Sequence, residues 1–182
     1  MRQKLTILLK IVLITVVTYA QGGSMTDPRN GNNYKTVIIG SQTWMTENLN
    51  YSTGTSWCYD NNSRNCITYG CLYDWQTARS ACPSGWHLPS KSEFETLLLN
   101  SGGAGSAAYS NLIKSSSWSA SLSGWRYNGG VFGSNGQNGC WWSSSANDVG
   151  GAWTLLMHSS FQEASMSGYD PSCGFSVRCL KD

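Results

Sequence analysis

Seven cysteines, Cys58, Cys66, Cys71, Cys82, Cys140, Cys173 and Cys179, fall in a 182-residue chain that has none before residue 58. Such density restricts the fold more than any other feature, because sulfurs in this number either bind metal or cross-link the chain. No Cys-x-x-Cys pair occurs, and the two histidines, His87 and His158, lie far apart with no ligand spacing. Disulfides are therefore favoured over zinc, no metal site or cofactor is expected, and the odd number leaves at least one thiol.

Disulfides persist in oxidising compartments, and the N-terminus points there. Arg2 and Lys4 precede the apolar run "ILLKIVLITVVTYA", which ends in small residues at Thr18 and Ala20. This order predicts a signal peptide over residues 1–20, cleaved after Ala20, and a secreted or cell-surface location. Lys10 interrupts the run, which is short for a spanning helix; an uncleaved anchor is the alternative. No cysteine follows closely, so a lipoprotein anchor is not expected, and no later segment is apolar enough to enter a membrane. Cleavage removes Arg2, Lys4 and Lys10 and leaves 9 basic residues against 10 acidic. That balance offers no basic footprint for nucleic acid. Residues 21–182 have the length of one domain.

The chain reads as short elements separated by turns. "YKTVIIGSQTWM" places β-branched runs on either side of Gly40-Ser41, a hairpin pattern. "DWQTARSAC" spaces Trp75, Ala78 and Cys82 on one helical face with Asp74 as N-cap. In "PSKSEFETLLLNSGG", Ser90 and Glu93 have capping-box spacing, Phe94, Leu97 and Leu98 form a stripe, and Gly102 stops the helix. Residues 103–123, rich in Ser, Ala and Gly, predict a long surface loop with a helical turn near Leu112. "GWRYNGGVFG" reads as a hairpin on Asn128-Gly129, and "CWWSSS", "AWTLLMHS" and "GFSVRCLK" as strands. The expected class is α+β: two helices near the front and a twisted antiparallel sheet with long loops behind.

Trp141 and Trp142, adjacent in "GCWWSSS", must point to opposite sides of a strand. One is expected in the main core and the other over a second patch beneath the loops. Residues 103–174 mix Ser, Gly and Asn with Trp, Tyr and Phe, the mixture that binding loops use for rigid contact area and adaptable hydrogen bonding. Aromatic faces beside polar side chains also suit a pyranose, although most of the nine tryptophans belong to cores.

The blocks "DPRNGNNYKTVIIGSQTWMTENLNY", "SWCYDNNSRNCITYG", "ACPSGWHLPSKSEFETLL", "WWSSS" and "GFSVRCLKD" resemble the signatures of the Fibrobacter succinogenes major paralogous domain, in order from about Thr26 to Asp182. The resemblance implies a bacterial exported domain with a fold similar to C-type lectins and the formylglycine-generating enzyme. On that fold, Cys82 matches a cysteine bonded to the last strand at Cys179, and Cys140 matches one bonded to Cys173. Cys58 and Cys66 would close a small local loop, with Cys71 as the free thiol.

The same fold implies a ligand face over residues 147–172. Phe161 and Tyr169 are its expected anchors, supported by His158, Gln162, Glu163, Asp170 and Trp153. Catalysis has little to draw on. His87 reads as a turn histidine, His158 as exposed, no two carboxylates stand out, and Cys173 with Cys179 does not occupy the positions of the formylglycine-generating pair. "DNNSRN" at 60–65 reads as a polar turn and not a calcium loop. The expectation is a non-enzymatic binding module for a glycan or surface protein, with a self-associating structural subunit as the alternative and an oxidase of the formylglycine-generating type behind both.

Overall fold

A computed structural model describes residues 19–114 and 116–182. The expected signal segment lies outside them up to residue 18. Strand β1, Tyr19–Thr26, crosses the expected cleavage point. It pairs antiparallel with β2, Asn33–Ile39, which turns at Gly40-Ser41 into β3, Gln42–Met45. Gly40 sits at φ 61, a conformation only glycine adopts freely.

Short elements follow: β4 (Ser56–Trp57), a 3-10 turn at Tyr59–Asn61, α1 (Ser63–Tyr69), β5 (Leu72–Tyr73), α2 (Trp75–Ala78) and β6 (Trp86–His87). Helices α3 (Lys91–Asn100) and α4 (Ser106–Leu112) lead into β7 (Ser123–Arg126) and β8 (Phe132–Asn135). Long strands β9 (Asn138–Ala146), β10 (Ala152–His158) and β11 (Glu163–Tyr169) precede β12 (Phe175–Ser176) and β13 (Leu180–Lys181).

Two sheets result, one in the order β1-β2-β3-β13-β6 and a larger one in the order β11-β10-β9-β12-β5-β4, with β7 joined to β9 and β8 to β7. β12 and β7 both run parallel to β9, so the larger sheet is mixed and not purely antiparallel.

The cap signals work as read. Asp74 accepts from Thr77 N at 2.8 Å. Ser90 and Glu93 form both halves of a capping box, and Phe94, Leu97 and Leu98 are buried. Each of these side chains contributes roughly 1.5–3 kcal/mol by leaving water.

Three expectations need correction. The stretch "DNNSRN" is not a turn alone: Asn62 caps Arg64 N, and α1 follows. Residues 103–123 are not a surface loop, since α4 turns Ala108 and Leu112 inward and Trp118 is fully buried behind it. Glu163–Tyr169, expected among loops, is a full strand whose seven residues all pair with β10. Its composition, EASMSGY, lacks β-branched residues, so the neighbour's pairing and not local propensity makes it a strand.

Alternation along β9 answers the question of the paired indoles. Trp141 and Trp142 are both fully buried because each face of the sheet carries its own core. Trp142 joins Cys140, Leu49, Tyr73, Phe175, Val177 and Cys179; Trp141 joins Trp44, Phe94, Leu97, Leu112, Trp118 and Leu155. Neither indole N–H is stranded: Trp142 donates to Tyr73 O (2.7 Å) and Trp141 to Asn48 Oδ1 (2.8 Å).

Bonds join Cys58 to Cys66 and Cys82 to Cys179. The expected Cys140–Cys173 bond is absent: both thiols are free and buried, like that of Cys71. Cys140 is fully enclosed beneath the sheet, where its thiol engages Thr154 on β10, and burial pushes its pKa well up. Desolvation thus favours the neutral thiol there.

Candidate functional site

The expected ligand residues do not form one site. Across β10 and β11, His158 pairs with Glu163 at one end of the ladder, while Trp153 and Ala152 pair with Gly168 and Tyr169 at the other. Six residue steps separate the ends, about 20 Å at strand rise. Phe161, Gln162 and Glu163 stand exposed at the hairpin tip, with His158 stacked 4.6 Å from Phe161.

At the far end Tyr169 packs against the core, its ring 5.1 Å from Phe175, and burial raises its pKa to about 12. Asp170 is committed internally: Oδ1 accepts from Ser172 N and Oγ, and Oδ2 from Asn128 Nδ2, which together hold its pKa below the usual carboxylate range. Trp153 is half-buried under the Lys91 ammonium, 4.7 Å from its ring centre. A shallow 410 Å³ depression borders Tyr169 and Asp170, but Asn147 in its wall has its Oδ1 occupied by Val149 N and Gly151 N.

A better-formed cleft of 390 Å³ lies elsewhere, between the start of β2, the segment after β3, helix α1 and the chain at 119–121. Asn48 and Arg178 build its floor. Asn48 Oδ1 accepts from Trp141 Nε1 (2.8 Å), Arg178 Nη2 (2.6 Å) and Arg178 Nε (3.2 Å), while its Nδ2 donates to Tyr69 O (2.9 Å) and Ser176 Oγ (3.2 Å). Arg178 Nη1 donates to Trp118 O and, at 3.3 Å, to Ser119 O, and the guanidinium lies 4.1 Å over the Trp118 ring.

Arg178 is wholly buried, and among the described residues no carboxylate pairs with it. Burial draws its pKa down to about 9, opposed by the more distant Glu47, so the guanidinium is still charged at neutral pH. Amide, carbonyl and ring contacts take the place of a counter-ion.

Above this floor the walls carry Asn32, Asn33 and Asn50, the hydroxyls of Ser119 and Ser121, Tyr69, and the exposed Glu47. Glu47 Oε2 accepts from Lys35 N at 2.9 Å. Sequence reasoning missed these residues. The signal present was asparagine density in "NGNN" and "TENLN", together with an arginine at an alternating position of "GFSVRC".

No catalytic constellation converges among the described residues. His87 Nδ1 contacts Asp182 (2.7 Å) and Nε2 contacts Glu93 (3.0 Å), so both nitrogens are engaged in tying α3 to the chain end. Cys179 is bonded to Cys82, which removes it from any pairing with Cys173. The remaining three-sulfur cluster is that of Cys58, Cys66 and Cys71.

The family model of the Fibrobacter succinogenes major domain matches residues 37–181. No curated protein and no solved structure matches the chain. The chain belongs to the Fibrobacter succinogenes major domain family, a paralogous domain of unknown function, and the match brings no catalytic evidence.

Proposed function

We propose that this family member is an exported or cell-surface binding module, of C-type-lectin-like architecture, that recognises a glycan in the polar cleft above Asn48 and Arg178. One observation carries the reading: the 390 Å³ cleft is lined by neutral amides and hydroxyls beside Tyr69, with single charges of each sign at Glu47 and Arg178. A saccharide presents hydroxyl edges to such amides and an apolar face to such a ring, and its neutrality matches the near-balanced lining. The two disulfides fit an oxidising location. The bond from the segment after α2 to Cys179, just before β13, supports a lectin-like reading of the fold. Ligand recognition at the Phe161 tip is the competing placement.

A glycan and protein array probed with purified protein tests this. Binding of a neutral oligosaccharide, reduced at least about tenfold by Tyr69→Ala combined with Ser121→Ala, is expected. Binding unchanged by those substitutions but lost in Phe161→Ala moves the site to the hairpin tip. Binding of a protein and no glycan, or self-association alone, replaces the glycan reading.

A further inference from the structure

Cys58, Cys66 and Cys71 are brought to one point by a short piece of backbone. Cys66 lies on the inward face of α1. Gly70 then reverses the chain at φ 78, pressed so closely to β3's following segment that a Cβ there would lie 2.7 Å from Asn48 Cβ. Cys71 consequently returns beneath the helix. Its Sγ stands 3.1 Å from Cys66 Sγ, although Cys66 is already bonded to Cys58. All three sulfurs lie within 4.8 Å of one another. Among the described residues the Cys71 thiol also meets Asn50 Oδ1, at a loose 3.5 Å, and the Tyr73 hydroxyl.

We propose that these three cysteines form a thiol–disulfide exchange site in which the bond moves from Cys58–Cys66 to Cys66–Cys71 and delivers Cys58 as an outward-reacting thiol. The Cys71 thiolate attacks Cys66 Sγ; the Cys66–Cys71 bond forms as the Cys58–Cys66 bond breaks, and Cys58 leaves with the electron pair and takes up a proton. One disulfide is consumed and one made, so neither oxidant nor reductant is needed. The exchange changes which thiol is accessible. Cys71 is 2% exposed, whereas Cys58 is only partly buried, at the entry to the 3-10 turn. Its environment restrains the reaction: Cys71 faces the buried tyrosines Tyr34 and Tyr73, and burial raises its pKa, so little of the attacking thiolate exists at rest. A reagent that captures Cys58 therefore drains the equilibrium toward the Cys66–Cys71 form.

The full, folded chain is incubated with iodoacetamide at mildly alkaline pH without reductant, quenched in acid and mapped as non-reduced peptides. Alkylated Cys58 together with a Cys66–Cys71 cystine is expected, and Cys71→Ala is expected to abolish that labelling. The Cys58→Ser chain, oxidised in air, is expected to carry the Cys66–Cys71 bond, which keeps the question decidable if Cys71→Ala fails to fold. The proposal is overturned if label lands on Cys71 while Cys58–Cys66 persists, or if none of the three is labelled before denaturant unfolds the chain. It is equally overturned if Cys58 labelling survives in Cys71→Ala, or if Cys66 and Cys71 remain thiols in Cys58→Ser.

Discussion

The two cores on either side of β9 and β10 are held by different means. On the Trp142 face lie all seven cysteines, five buried and Cys58 and Cys82 packed against the edge. On the Trp141 face, among the described residues, there is no cysteine; α3, α4 and a cluster of Trp44, Phe94, Trp118 and Trp141 fill the space. The first core is assembled from short strands and turns, which bury little surface of their own and rely on covalent closure. The second is roofed by amphipathic helices and holds by packing. Covalent bonds are thus placed where regular structure is thinnest.

The strongest way to break this comparison is to open the Cys82–Cys179 bond, which closes 97 residues. Replacing both cysteines by alanine should cost about 4–5 kcal/mol in the chain-entropy model, read from urea unfolding. An equal loss on reducing only the 58–66 bond would contradict it. The matching cut in the other core is Trp118→Ala, which removes ring contacts with Trp44, Phe94 and Trp141 and the surface under Arg178. It should cost about 4 kcal/mol, equally in reducing and oxidising buffer; a redox-dependent loss would erase the distinction between the cores.

A smaller effect sharpens it. Burial opposes charge on His87, but hydrogen bonds to Asp182 and Glu93 outweigh it and raise the pKa above 6.5. For Glu93, burial is outweighed by hydrogen bonds from Ser90 and His87, and the pKa falls below 4.5. The His87 contribution is therefore complete below 6.5 and fades as pH rises through its raised value. That of Glu93 is complete above 4.5 and fades as pH falls through its lowered value. His87→Gln should flatten the alkaline side of the stability profile by less than about 1 kcal/mol, because the pair is substantially exposed. An unchanged profile would detach this bridge from the helical core. Smallest of all, Phe161→Ala, at a side chain 74% exposed, should stay within about 0.5 kcal/mol by thermal melting. A loss typical of core truncation would make the hairpin tip part of the second core.

The difference between the cores also governs what could be read from residues alone. Helix α3 announced itself through Ser90, Glu93 and its apolar stripe, since every signal was local. The Gly40-Ser41 hairpin did so for the same reason. Trp118 did not, because a tryptophan among serines shows nothing of the helices that will cover it. Nor did β11, which takes its conformation from β10. The cleft was hidden for a related cause: Asn48 and Arg178 are 130 residues apart, and only tertiary folding makes them one hydrogen-bonded unit. The Cys82–Cys179 pairing followed the fold resemblance and Cys58–Cys66 closed the expected local loop, but the thiols of Cys140 and Cys173 stayed apart, because resemblance supplies positions and not the enclosure around each sulfur.

Residues 173–180 are all buried, and this has a temporal consequence. Phe175, Val177 and Cys179 enter one core, Leu180 enters the other, and Arg178 sits between them against Asn48. A nascent chain that stops short of this segment lacks the run from β12 to β13 that links the two sheets and has no partner for Cys82. Ribosomal synthesis, proceeding from the N-terminus, therefore yields no intermediate in which either core is complete. Neither core closes until residues 173–180 are available to it.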